Sequence, residues 1–144
     1  MKLVTLEKNH IDNLNFDKTF DNIFENEDKI EYFSSNGKEH YRLLSYFSTL
    51  FNNSNIIDIG SHKGYSSLAL SYNKTNTVYS FDIVDNVRNN IKSVNNIHFF
   101  YDNLFDSSGR EKWKDIILSA PFIFLDVDPH NGNMELDMYN YLHP

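Results

Sequence analysis

The chain has no cysteine. That excludes disulfides, thiolate metal sites and cysteine nucleophiles, and it leaves no sign of an oxidising compartment. The opening stretch MKLVTLEKNHIDNLNF lacks the apolar run of a signal sequence. Nowhere do about 18 apolar residues follow one another, the length that a membrane span requires. A cytoplasmic protein without membrane association is therefore expected. Basic residues are scarce as well: 13 Lys and Arg stand against 20 Asp and Glu, for a formal net charge of -7. Phosphate-backbone binding needs a basic face that displaces counterions, so no nucleic-acid partner is expected. Alanine occurs only at Ala69 and Ala120, while asparagine is abundant. That bias fits AT-rich coding better than a prion-like tract. At 144 residues the chain has the size of one domain with a real core.

Two amphipathic patterns open the chain. Phe16, Phe20, Ile23 and Phe24 recur at helical spacing beside Asp17, Asp21, Glu25 and Glu27, and Leu43, Leu44, Phe47, Leu50 and Phe51 repeat it after a Ser34–Gly37 breaker. Together they predict an N-terminal helical cap over residues 1–53. From Asn55 the period changes. NIIDIG, TVYSFDI, IHFFYD and PFIFLDVD read as strands, and GYSSLALSY, DNVRNNIKSV, GREKWKDIILS and NMELDMYNYL read as helices between and after them. Met134, Met138 and Tyr141 share one side of the last helix. Alternating strands and helices predict an α/β fold, Rossmann-like, with a parallel sheet and helices on both faces.

In such sheets ligands bind beyond the carboxyl ends of the strands. The first of these ends carries IIDIGSHKG. Gly60 permits a sharp turn and close backbone approach, and Gly64 opens the following helix. A dinucleotide loop would hold a diphosphate there, and Asp58 would repel it in a partly desolvated crevice. His62 and Tyr65 also occupy the positions where a Gly-x-Gly-x-x-Gly pattern needs glycine. A phosphate-free, positively charged ligand fits better, and S-adenosylmethionine is one. Its ribose needs a carboxylate at the end of the second strand. Asp82 supplies one about 20 residues past the first glycine, although a helix cap is the competing role for it. An acid follows or ends each of the four strands, at Asp58, Asp82, Asp102 and Asp126.

These motifs resemble class I S-adenosylmethionine-dependent methyltransferases of the O-methyltransferase-like branch, over the chain from about residue 38 onward. IIDIGSHKG is similar to the family's acid-x-Gly-x-Gly-x-Gly loop, with His62 in place of the middle glycine. The resemblance implies the strand order 3-2-1-4, with residues 54–144 forming the cofactor half of the family's larger sheet. It implies that Asp58 orients the methionine ammonium, that Gly60, Ser61, His62 and Gly64 form the loop under the methionine part, and that Asp82 holds the ribose. Ile83 would pack on the adenine, with Asp102 and Asn103 facing the adenine amino group. In FIFLDVDPHNG, His130 would act as base, with Asp126 or Asp128 orienting it. Asp128 as a cap and His130 as an exposed loop residue is the alternative. Some relatives bind a divalent ion through the fourth-strand aspartate, but no full ligand set can be assigned here, and no metal is expected.

The expected activity is methyl transfer to an oxygen or nitrogen of a small molecule or sugar. The alternative is a truncated or binding-only S-adenosylmethionine module without transfer. PFIFLD is apolar on both faces, which suits a strand buried between neighbours rather than an edge. A fragment of a longer reading frame, a homodimer across this edge, or a cap folded over it would each account for that.

Overall fold

Short β-branched and aromatic runs form four strands, β1 (Asn55–Ile59), β2 (Thr77–Phe81), β3 (Ile97–Phe100) and β4 (Phe122–Leu125). The computed structural model describes residues 4–24, 29–34 and 37–144. All strands pair in parallel, in the order β3-β2-β1-β4. The helices are α1 (Lys8–Asp12), α2 (Phe16–Phe20), α3 (Lys38–Thr49), α4 (Tyr65–Leu70), α5 (Asn89–Lys92), α6 (Ser107–Ser119) and α7 (Asn133–Leu142). A π-helical turn runs over Ile30–Ser34. Among the described residues no helix is long and apolar enough to cross a membrane.

Side chains alternate across a strand, and the two faces of the sheet bury different clusters. Ile56, Val78 and Ile97 join Leu44, Leu68 and Leu70 on one face. Ile57, Ile59 and Phe81 join Leu104, Ile117 and Met138 on the other. The N-terminal segment adds aromatic rings to the first cluster. Phe16 stacks on Tyr32 at 5.2 Å between centroids, Tyr32 stacks on Tyr41 at 4.4 Å, and Phe24 meets Tyr65 edge-on at 5.6 Å. Phe122 of β4 lies against Phe47 of α3 at 5.1 Å. Among the described residues β4 pairs only with β1, and each of its side chains is half-buried.

The N-terminal region differs from its periodicity. The helix begun at Phe16 stops at Phe20, and the backbone turns through Asp21–Ile23 although Ile23 and Phe24 keep the apolar spacing. The Asn90 side-chain amide donates to the Ile23 carbonyl and ties this turn to α5. Glu25 and Glu27, Ser35 and Asn36 lie outside the described residues. α1 buries nothing and has an exposed Lys8–Asp12 pair, so no apolar pattern marks it. At the other end, Met138 is buried, Tyr141 packs on the second cluster and Met134 reaches the cleft described below.

Tyr32 is fully buried among these rings, and its hydroxyl has no hydrogen-bond partner among the described residues. Burial holds its phenol well above the ordinary range. A buried, unsatisfied hydroxyl costs free energy that a phenyl ring of the same shape does not. Tyr32→Phe is therefore expected to raise stability by about 1 kcal/mol, read from the urea unfolding midpoint at unchanged slope.

Candidate functional site

The site is assembled by the turn that follows β1. Gly60 has φ +100°, and its N–H donates to the Phe81 carbonyl at 2.8 Å, which ties the turn to the end of β2. A Cβ at this position would lie 2.0 Å from the Asp126 carbonyl oxygen, so the bare backbone here is what lets β1 and β4 end side by side. His62 is also left-handed, at φ 43°. Its N–H donates to Asp82 Oδ2 at 2.8 Å. Asp82 Oδ1 accepts from the N–H groups of Ile83 at 2.7 Å and Val84 at 3.2 Å. Asp82 therefore organises two loops and does not cap α5, whose N-cap is Arg88.

Asp58 faces elsewhere. Register places it beside Ser80, on the sheet face that carries Ile56, under α4. It is fully buried. Its Oδ2 accepts from Ser66 at 2.9 Å, from Ser67, and from Ser80 at 3.4 Å, while Oδ1 has no partner among the described residues. Ser61 joins the same network through Ser80 at 2.6 Å. Burial pushes the Asp58 carboxyl up to about 6 from 3.8, and the Asp126 charge adds to that, whereas the bonds from Ser67, Ser66 and Ser80 pull it down. The net shift corresponds to about 3 kcal/mol against the ionised form. Burial of Ile56, Ile57 and Ile59 on the same strand contributes roughly 2 kcal/mol each and outweighs it.

A cleft of about 520 Å³ opens at the carboxyl ends of all four strands. Of the residues expected from the sequence, it is lined by Gly60, His62, Asp82, Ile83, Asp102, Asn103, Asp126, Asp128 and His130. Ser61 lines a smaller recess beside it, and Asp58 and Gly64 line neither. Gly64, at φ +90°, packs instead against Val87 and Ile91, where a Cβ would lie 2.9 Å from Val87 Cγ1. Asp102 Oδ2 accepts from Lys112 Nζ and from the Trp113 indole N–H, each at 2.8 Å, and these bonds, Lys112 first, hold its carboxyl below the usual range. Asn103 accepts from the Phe105 N–H at 2.9 Å and shapes the loop before α6. His130 stands between two carboxylates, with Nδ1 3.5 Å from Asp126 Oδ1 and Nε2 3.2 Å from Asp128 Oδ1. Among the described residues no group of three or more histidines and carboxylates is placed to hold a metal ion.

The cleft also takes in Phe81, Val84, Leu104, Phe105, Val127 and Met134. Their apolar identity reads as core in the sequence; Phe81 reaches the opening from the end of β2, Met134 from the first turn of α7, and the others from the loops after the strands. Met134 lies in the first turn of α7, which follows Gly132 at φ +81°.

Two outcomes follow from this geometry. Gly60→Ala combines a left-handed backbone with a clash against a neighbouring carbonyl and should destabilise the fold by roughly 3 kcal/mol or more, measured by urea unfolding. Asp58 gives a pH signature. Between 3.8 and about 6 the folded chain holds a proton that the unfolded chain has lost, so stability falls as pH rises through that window. Because Asp58→Asn cannot titrate there, its stability relative to the unaltered chain should grow by about 3 kcal/mol from about pH 3 to pH 7. A flat difference in paired unfolding curves would rule the effect out.

No protein-family model matches this sequence, and no curated protein matches it.

Proposed function

We propose that the chain binds S-adenosylmethionine in the cleft and acts as a methyltransferase on an oxygen or nitrogen of a small molecule. The observation that carries this reading is the sign of the cleft. Asp82, Asp102, Asp126 and Asp128 line it with two histidines; Asp102 is paired with Lys112 from outside the lining, and neither Lys nor Arg is among the described lining residues. A carboxylate about 4 Å from a unit charge at the dielectric of a protein surface interacts by roughly 4 kcal/mol. A diphosphate-bearing nucleotide meets that as repulsion, and a sulfonium meets it as attraction.

The donor set suits the ligand part by part. A carboxylate offers about four lone-pair positions, and backbone N–H groups take three of those on Asp82. One remains on Oδ2 for a ribose hydroxyl. Ile83 and Val84 are 71% and 51% exposed and offer an apolar ledge for a purine. Bound S-adenosylmethionine supplies a methyl group on a positively charged sulfur, open to displacement by a nucleophile. The chain's own task is then to orient the acceptor and take its proton. His130 is the group for that. Its contacts with Asp128 and Asp126, whose side chains are 93% and 54% exposed, are each worth little in water and leave the ring free to turn to an acceptor. Nε2 is then free to accept a proton.

The test is isothermal titration with S-adenosylhomocysteine, with NAD as the phosphate-bearing control. Binding of the first without the second is expected. Binding of NAD at comparable affinity, or of neither ligand, would refute the assignment. Binding with no methyl transferred to any amine or hydroxyl acceptor would narrow the function to cofactor binding.

A further inference from the structure

The cleft takes Leu104 and Phe105 from the loop after β3 and Met134 from α7, and these two parts of its wall meet at one side chain outside it. Arg110 of α6 donates from Nε to the Leu104 carbonyl at 2.8 Å, and its guanidinium lies 5.7 Å from the centre of the Phe105 ring. The same group pairs through Nη2 with Asp137 of α7 and lies 4.9 Å from the centre of the Tyr141 ring. A planar guanidinium suits this position, because its donors leave in fixed, separate directions while its face packs on rings; a lysine ammonium is a single point of charge.

The two elements that Arg110 joins are held differently. The loop after β3 is locked to the start of α6: Asp106 accepts from the Gly109 N–H at 2.7 Å, and a Cβ on Gly109 would lie 1.9 Å from the Asn103 carbonyl oxygen. α7 has 10 residues, and a helix that short is marginal unless it is docked. Met138, Tyr141 and Leu142 pack it on the second apolar cluster, and the Arg110–Asp137 pair is its polar tie to α6. A ligand that touches Leu104, Phe105 and Met134 together therefore bears on both ends of the Arg110 bridge.

We infer that Arg110 is a positioning residue that couples occupancy of the cleft to the docking of α7. The inference rests on the S-adenosylmethionine reading for the identity of the ligand. Coupling of this kind is reciprocal, so a ligand that favours docked α7 binds less tightly wherever docking is weakened.

The test is amide hydrogen exchange over residues 133–142, with and without saturating S-adenosylhomocysteine, in the unaltered chain, Arg110→Met and Asp137→Ala. Arg110→Met keeps an unbranched stem against the two rings and removes the fork. Asp137→Ala removes the partner on α7, where the side chain is 53% exposed, and leaves the Leu104 bond in place; it decides the matter alone if Arg110→Met does not fold. In the unaltered chain the ligand should slow exchange in α7 by about tenfold, the scale of coupling between two sites. In both variants that slowing should be lost from α7 and kept at the turn over residues 60–62. A merely weakened fold would exchange faster throughout and keep the ligand's effect on α7. Slowing of α7 that persists in either variant, or that is absent from the unaltered chain although the ligand binds, would overturn the coupling and leave the cofactor reading standing. Failure of S-adenosylhomocysteine to bind the unaltered chain in a parallel calorimetric titration would overturn both.

Discussion

The site depends on one close approach, that of the Gly60 backbone to the carbonyl of Asp126. The two strands that meet there are neighbours in the sheet but lie far apart in the chain, and the turn between β1 and α4 has to pass beneath the end of β4 without a side chain in the way. Everything else at the cleft is arranged around that passage. The Gly60 N–H reaches the end of β2, the His62 N–H reaches Asp82, and Asp126 leaves the sheet with its own N–H still donating to Ile59 at 2.9 Å. The four strand ends are tied to one another by backbone bonds, and Asp82, Asp102, Asp126 and Asp128 emerge beyond them, with Asp102 paired to Lys112 and His130 standing between Asp126 and Asp128. Such a charge distribution is open to a cation.

Beneath the cleft, the serine-rich start of α4 is the complement of Asp58. Ser66 and Ser67 face β1, Ser80 comes from β2, and all three meet one carboxylate. Hydroxyls suit this position because they are small enough to leave the helix close to the sheet and still carry a proton for the acid. An apolar α4 would strand a charge in the core, at a cost well above what one more methyl group contributes.

How far the sequence discloses this arrangement depends on which physical signal each residue leaves. Strand runs such as NIIDI and FIFL are dense in β-branched and aromatic side chains, and their order along the chain, broken by helical patterns, implies the parallel sheet. Asp82, Asp102 and Asp126 are legible because they are the first polar residues past an apolar run and so have to emerge at the strand end. Asp58 follows a different rule. It lies inside β1, and two-residue alternation turns it to the same face as Ile56, under α4 and away from the cleft. The glycine at position 60 announces a turn, but the demand for it comes from a carbonyl more than sixty residues later in the sequence. Likewise His40 and Tyr41 reach the recess from a helix whose periodicity speaks only of its buried side. In the N-terminal region, Ile23 and Phe24 preserve helical spacing beyond the point where the helix stops, since apolar rings can be buried from a turn as well as from a helix.

Trp113 is the chain's single tryptophan. Its indole N–H is bonded to Asp102, a carboxylate of the cleft wall, and its ring lies 4.3 Å from that of Phe100. The excited state of an indole is sensitive to the charge and hydrogen bonding at its nitrogen. Fluorescence from this one ring, undiluted by other tryptophans, thus reports directly on what neutralises or displaces Asp102, and the protein carries its own optical probe of cleft occupancy.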